Sequence, residues 1–236
     1  MEPFTFKQFA VAQDRCAMKI GTDGVLLGAW TTIDHRPLSV LDIGAGTGII
    51  ALQLAQRTTA ELIDAIEIDH LAYEQCVENF EASPWGDRLF CYHASLEEFT
   101  EEIDDRYELI VSNPPFYSDN YVTEDPARNT ARFADALPFK DLLQHVSVLL
   151  SEEGIFSTII PKKEEQTFIA LASEVKLFPT RICRVRGTDT SEVKRSLMEF
   201  SFQKTTVEMT SLVIEHSRHN YTQDYCDLVR EFYLKM

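Results

Sequence analysis

From residue 38 onward, short apolar runs alternate with stretches of helical period. Residues 38–43 form the first run, bounded by Pro37 and by glycines at 44, 46 and 48; residues 49–56 then place apolar side chains at helical spacing. The same alternation predicts a strand at 62–68, a helix at 70–82, and strands at 89–92 and 107–112. A helix at 139–150, a strand at 155–160 and a helix at 164–174 continue it. Strands separated by helices of this length predict βαβ units: an α/β fold with a mainly parallel sheet and helices on both faces. The pattern then changes. Residues 181–186 and 196–202 are β-like with no helix between them, which predicts an antiparallel pair closing the sheet; 211–215 is a further strand candidate and 221–234 a terminal helix. No repeat or Pro/Gly/Ser linker divides the chain, so residues 1–236 are expected to form one domain.

Composition adds little to this picture, and charge adds a problem. The 236 residues are 44% hydrophobic and 25% charged, an ordinary globular balance that excludes disordered and disulfide-dense classes. Lys and Arg number 22 against 38 Asp and Glu, a net charge of −16. So acidic a chain binds nucleic acid only through a local basic surface. Residues 161–204 offer one: nine Lys/Arg (162, 163, 176, 181, 184, 186, 194, 195, 204) against six Asp/Glu (164, 165, 174, 189, 192, 199). Within it, Arg181, Arg184, Arg186, Lys194 and Arg195 are the candidates for a phosphate-contacting rim, or else a solvated edge that discourages strand pairing. Five scattered cysteines without C-x-x-C spacing predict reduced thiols and no metal site. With no signal-like N-terminus and no apolar run near the ~20 residues of a membrane span, a cytoplasmic protein is expected.

The chemistry gathers at two strand ends. Asp42-Ile43-Gly44-Ala45-Gly46-Thr47-Gly48 stands between a predicted strand and a predicted helix. Glycines there allow a tight turn and the close approach of a ligand that a Cβ would exclude. The spacing is neither that of a pyrophosphate-binding G-x-G-x-x-G nor of a P-loop, so a nucleotide-like cofactor across the strand ends is the reading, against a plain glycine turn. Glu67, 19 residues past Gly48 at the next strand end, is placed to accept from ribose hydroxyls, whereas Asp69 better suits a helix cap. Asn113-Pro114-Pro115-Phe116 follows the strand 107–112. Consecutive prolines end the ladder in a fixed shape. The Asn113 side chain and Pro114 carbonyl are then a pair of acceptors for one planar NH2 group, and Phe116 a face on which a base stacks.

In this order the glycine loop, the acidic strand end and N-P-P-F resemble the class I S-adenosylmethionine-dependent methyltransferases. The resemblance implies a Rossmann-like, seven-stranded, mostly parallel sheet with an antiparallel last strand, and S-adenosylmethionine as cofactor. N-P-P-F resembles members that methylate planar nitrogens of RNA or DNA bases, or glutamine amides. The stretches 4–9, 16–30 and 194–200 narrow it further: they are similar to the bacterial tRNA1(Val) adenine-N6 methyltransferases, which modify the anticodon-loop adenosine at position 37. By that resemblance the cofactor is held by Thr22, Asp42, Gly44, Gly46, Gly48, Glu67 and Asn113. Asn113, Pro114 and Phe116 are catalytic, Pro115 and Phe116 meet the substrate, and residues 1–30 cover the site. One departure stands out. The acidic residue that often follows the third strand is missing, since the chain there reads His93-Ala94-Ser95, leaving the Ala94 backbone or Ser95 hydroxyl for the cofactor adenine. The competing expectations are a methyltransferase for ribosomal RNA guanine or a protein glutamine amide, and a nucleotide-binding module without chemistry.

Overall fold

The computed structural model describes residues 2–115 and 137–236. The central parallel strands are β3 (Ser39–Ile43), β4 (Leu62–Glu67), β5 (Leu89–His93), β6 (Tyr107–Ser112) and β7 (Leu150–Pro161). Helices α2 (Ile49–Arg57), α3 (His70–Glu81), α4 (Leu96–Glu102) and α5 (Phe139–Leu149) connect them, and α6 (Glu165–Glu174) follows β7. Three strands complete the sheet: β8 (Phe178–Arg186), β9 (Val193–Ser201) and β10 (Glu208–Val213). Spatial order is β10-β8-β9-β7-β6-β3-β4-β5. Only β9 runs against the rest, antiparallel to both β7 and β8.

Among the described residues the sheet thus has eight strands where the resemblance implied seven. The reversed strand sits as expected, but it is not the last: β10 pairs parallel with β8 and covers what would be an open edge, with Leu212 turned to the core. Two apolar layers sandwich the sheet because strand side chains alternate. Val40, Leu109, Val111, Ile159 and Leu197 face α1 (Thr22–Trp30), α2 and α7 (Gln223–Val229). Leu41, Ile43, Ile110, Ile160 and Met198 face α4, α5 and α6.

The N-terminal residues enter the first layer. A short hairpin, β1 (Phe4–Thr5) with β2 (Ala10–Val11), buries Phe6 and Phe9 against Tyr233 and Trp85. Lys7 N–H donates to the Phe232 carbonyl at 2.8 Å. From Gly24 to Trp30 helix α1 is buried, which makes it a core helix. Among the described residues no helix is long and apolar enough to cross a membrane.

One consequence of the strand order places the site. The chain runs from β3 outward through β4 to β5, then returns to lay β6 on the other side of β3. A parallel sheet opens a crevice at the carboxyl ends where the winding reverses. Those ends belong to β3, leading into Gly44, and to β6, leading into Asn113.

Candidate active site

The glycine loop is folded by its own amides. The N–H groups of Gly44 and Ala45 both donate to the Ile66 carbonyl, at 3.0 and 3.1 Å, which turns the chain sharply off β3. Gly44 and Gly46 have φ of +73° and +55°, and nothing lies within 4 Å of where their Cβ atoms would be. The loop therefore presents an open, side-chain-free floor. Gly48 is required for packing instead, since its Cβ would stand 2.5 Å from the Phe80 ring and 2.9 Å from Cys76 Sγ.

Asp42 lies beneath this floor, fully buried. Its Oδ2 accepts from Ala51 N–H at 3.1 Å, capping the first turn of α2 from the preceding strand. Its Oδ1 has no partner among the described residues. Burial lifts the carboxyl to about 7; the Ala51 hydrogen bond opposes the rise and the Glu67 charge adds to it. Glu67 braces the loop: Oε2 accepts from Gly46 N–H at 2.7 Å and Oε1 from Asp69 N–H at 2.9 Å. Each oxygen keeps a lone pair for a further donor. Asp69 caps α3, as the sequence suggested, through Oδ1 and Ala72 N–H at 2.8 Å.

Beyond β5, Ala94 is half-buried and Ser95 starts α4 in a capping box with Glu98. The Ser95 hydroxyl donates to Glu98 Oε2 at 2.8 Å and accepts from Glu98 N–H at 3.2 Å. That hydroxyl is thus occupied by the helix start.

Across the crevice, Ser112 Oγ donates to the Ile43 carbonyl at 2.9 Å and pins the end of β6 to the end of β3. Asn113 follows, and its Oδ1 is buried with no donor among the described residues. Pro114 is buried and Pro115 exposed, while Phe116 lies outside the described residues. Thr22 begins α1, exposed; the neighbouring Asp23 accepts from Arg195 Nε at 2.8 Å.

The five expected rim cations do not share one surface. Arg181 lies mid-strand over the Trp30 ring, bonded to Thr32 and, at 2.9 Å, to Glu199 Oε2. Arg184 points to the opposite face and bonds the buried Glu165 at 2.8 Å. Arg186 ends β8, and Lys194 and Arg195 begin the reversed β9; these three alone stand at the carboxyl edge that carries Asn113.

Sequence reading passed over Gln75 and Asn79, which lie on the buried face of α3 and hold residues 12–15 beside the loop. Two amides four residues apart among Cys76 and Phe80 were the available signal, polar groups on a face otherwise apolar.

Fold and site together define a class I methyltransferase. The crystal structure of a predicted O-methyltransferase from Agrobacterium tumefaciens shares the fold, with a TM-score of 0.69 at 19% identity over 89% of this chain and 96% of that one. The Methyltransferase small domain family matches residues 22–137. At the level of sequence, the tRNA1(Val) (adenine(37)-N6)-methyltransferase of Flavobacterium psychrophilum is 62% identical over 99% of this chain and all of its own length. That of Flavobacterium johnsoniae is likewise 62% identical, over 99% of this chain and 100% of its own. The chain belongs to the tRNA1(Val) (adenine(37)-N6)-methyltransferase family. Its cofactor is S-adenosylmethionine, and the residues present fit one: an open glycine floor, a carboxylate at the second strand end, and an orphaned buried oxygen on Asp42.

Proposed function

We propose that this protein methylates N6 of adenosine 37 in tRNA1(Val), working as a single cytoplasmic methyltransferase domain. The observation that carries the chemistry is Asn113 Oδ1, a buried acceptor at the carboxyl end of β6 with no donor among the described residues. Burying an amide oxygen unpaired costs about 1–3 kcal/mol, so a donor supplied by substrate is the natural complement. The names of the relatives supply the substrate.

S-adenosylmethionine, when bound, supplies a methyl group on a positively charged sulfur. In this reading Gly44, Gly46 and Glu67 would hold it, with Asp42 and Gly48 supporting the loop through α2 and α3, Thr22 and Asn113 at its rim, and the Ala94–Ser95 backbone available to its adenine. The target amine is a weak nucleophile, its lone pair delocalised into the ring. Asn113 Oδ1 and the Pro114 carbonyl accept its two N–H bonds and turn the lone pair towards the methyl carbon. Asn113 and Pro114 hold the amine in line with the methyl carbon that the cofactor would supply for the new bond to nitrogen, its sulfur taking the displaced bonding pair. Both acceptors stabilise the positive charge growing on nitrogen. The amine then gives up one proton to solvent; the acidity of the product makes a dedicated base unnecessary. Holding amine and methyl in line supplies roughly 7–11 kcal/mol of the acceleration. Unstacking an anticodon-loop base costs a few kcal/mol, and stacking on Pro115 and Phe116 returns about 1–3. At the carboxyl edge Arg186 and Lys194 are the cations that would meet RNA phosphates, Arg195 being engaged by Asp23.

The test is transfer of labelled methyl from S-adenosylmethionine to tRNA from cells lacking the activity, followed by nucleoside analysis. N6-methyladenosine at position 37 of one valine tRNA is the expected product. Label in ribosomal RNA or protein instead would discard the substrate, and no label anywhere would discard the mechanism.

A further inference from the structure

The segment between β2 and α1 lies along α3 and crosses beside the glycine loop. Two α3 amides hold it. Gln75 Oε1 accepts from Arg15 N–H, and Gln75 Nε2 donates to Asp14 Oδ1, each at 2.9 Å. One turn on, Asn79 Oδ1 accepts from Ala12 N–H at 2.8 Å, while Nδ2 donates to two carbonyls at 2.9 Å, those of Ala12 and Thr47. Thr47 is the residue between Gly46 and Gly48. Asn79 therefore bonds the covering segment on one side and the cofactor loop on the other; Asn79 and Thr47 are buried and Ala12 is half-buried. Further along, Cys16 is buried, and Ile20 N–H donates to Gln13 Oε1 at 2.9 Å, folding the segment on itself. The first turn of α1 then sits on α2, a Cβ at Gly24 meeting Ile49 at 3.4 Å.

We propose that Asn79 is a positioning residue for the cofactor: it fixes the glycine loop against residues 12–15, so that its loss weakens cofactor binding rather than methyl transfer. A primary amide is what this junction needs, since it offers one acceptor and two donors at a single point. A carboxylate of the same shape would set an oxygen against two carbonyls, and alanine would leave the buried Thr47 carbonyl and the half-buried Ala12 groups without their partner. The inference rests on the reading that the cofactor lies over the glycine loop.

Calorimetric titration of S-adenosylmethionine into wild type, Asn79→Ala and Asn79→Asp is the experiment. Tyr107→Phe serves as control, since it removes a buried hydrogen bond to Asp64 on the other face of the sheet. Both Asn79 variants should lose at least about tenfold in cofactor affinity, and KM for the cofactor should rise alike while kcat moves by less than about threefold. Tyr107→Phe should lower Tm and leave affinity in place. Wild-type affinity in the Asn79 variants, or an equal loss in Tyr107→Phe, overturns the proposal. Should neither Asn79 variant fold, hydrogen exchange on wild type decides it. Protection of the Ala12 and Arg15 amides should rise when S-adenosylmethionine is added, and unchanged protection overturns the idea. A wild type that binds no S-adenosylmethionine removes the cofactor reading itself, an outcome distinct from any of these.

Discussion

Two pairs of side chains that bury polar oxygens have opposite fates in this molecule. Glu165 and Glu199, on the β7–β9 side of the sheet, are completely satisfied. Arg184, Lys162 and Ser196 surround the first, and Arg181 with the backbone and hydroxyl of Thr32 surround the second. Asp42 and Asn113, at the ends of β3 and β6, each keep an oxygen without a donor among the described residues. Neither glutamate nor Asp42 exposes its side chain, so exposure does not separate them. Completion does. A buried polar group that the chain itself completes is part of the scaffold, whereas one left incomplete at a crevice is shaped for something that arrives later.

The strongest way to break this contrast is at Asn113. Asn113→Ala should lower transfer by roughly 10²–10³-fold, the usual cost of losing one aligned group that meets transition-state charge. Titration should show a much smaller loss of cofactor affinity than of transfer, since Asn113 stands only at the cofactor's rim. A variant that still methylates at the wild-type rate would make the orphaned oxygen irrelevant and dissolve the distinction.

Next in size are the completed groups. Glu165→Ala removes the buried carboxylate that Arg184, Lys162 and Ser196 share and should cost about 1–3 kcal/mol in urea unfolding, since both cations left behind are partly solvated. The two carboxyls also oppose each other in pH dependence. Burial alone would raise Glu165, but hydrogen bonds from Arg184, Ser196 and Lys162 outweigh it and bring the group from 4.5 to about 2. Its stabilisation, on the order of 3 kcal/mol, is complete above pH 4.5 and lost as pH falls towards about 2. Asp42, raised from 3.8 to about 7, acts the other way: the fold is favoured below pH 3.8 and loses that contribution as pH rises through 7. Unfolding curves at stepped pH should therefore lose their acid-side slope in Glu165→Gln and their slope towards neutrality in Asp42→Asn. Swapped or unchanged slopes would show that completion does not govern these groups.

Much of the incomplete half was legible in the sequence, and little of the complete half. Strand β6 coincides with the expected 107–112, because a central parallel strand is apolar on both faces and its ends are marked by turn residues. The glycine loop and Asn113-Pro114 announce themselves for the same reason: a ligand-facing backbone needs residue types that a packed one does not. Pairing across the sheet has no such local mark. Glu199 lies 18 residues from Arg181, and Glu165 lies 19 from Arg184, so a count of charges credited both arginines to an outer rim. The hairpin of β1 and β2, at two residues per strand, is too short for any period. Helix α4 was missed although Ser95-Leu96-Glu97-Glu98 spells a capping box, its acidic run hiding the two buried positions, Leu96 and Phe99.

The smallest expected effect sharpens the contrast most finely, because it compares arginines on a single strand. Arg184 is bonded to buried Glu165, whereas Arg186, two residues on, reaches the carboxyl edge, where Lys194 is the second residue of β9. If only edge cations meet RNA, replacing Arg186 and Lys194 together by alanine should reduce the dependence of log KM for tRNA on log salt by about 1.5–2, near one unit per phosphate contact. Arg184→Ala should instead lower stability, by exposing the need of Glu165 for its partner, and leave the salt slope where it was. The measurement is tRNA KM across about 50 to 200 mM salt, the range over which released counterions dominate the affinity. A salt slope that follows Arg184 and ignores Arg186 and Lys194 would place the RNA on the face of the sheet rather than at its edge. It would also mean that a satisfied ion pair can open for a ligand, which is the assumption that the whole division between completed and orphaned groups denies.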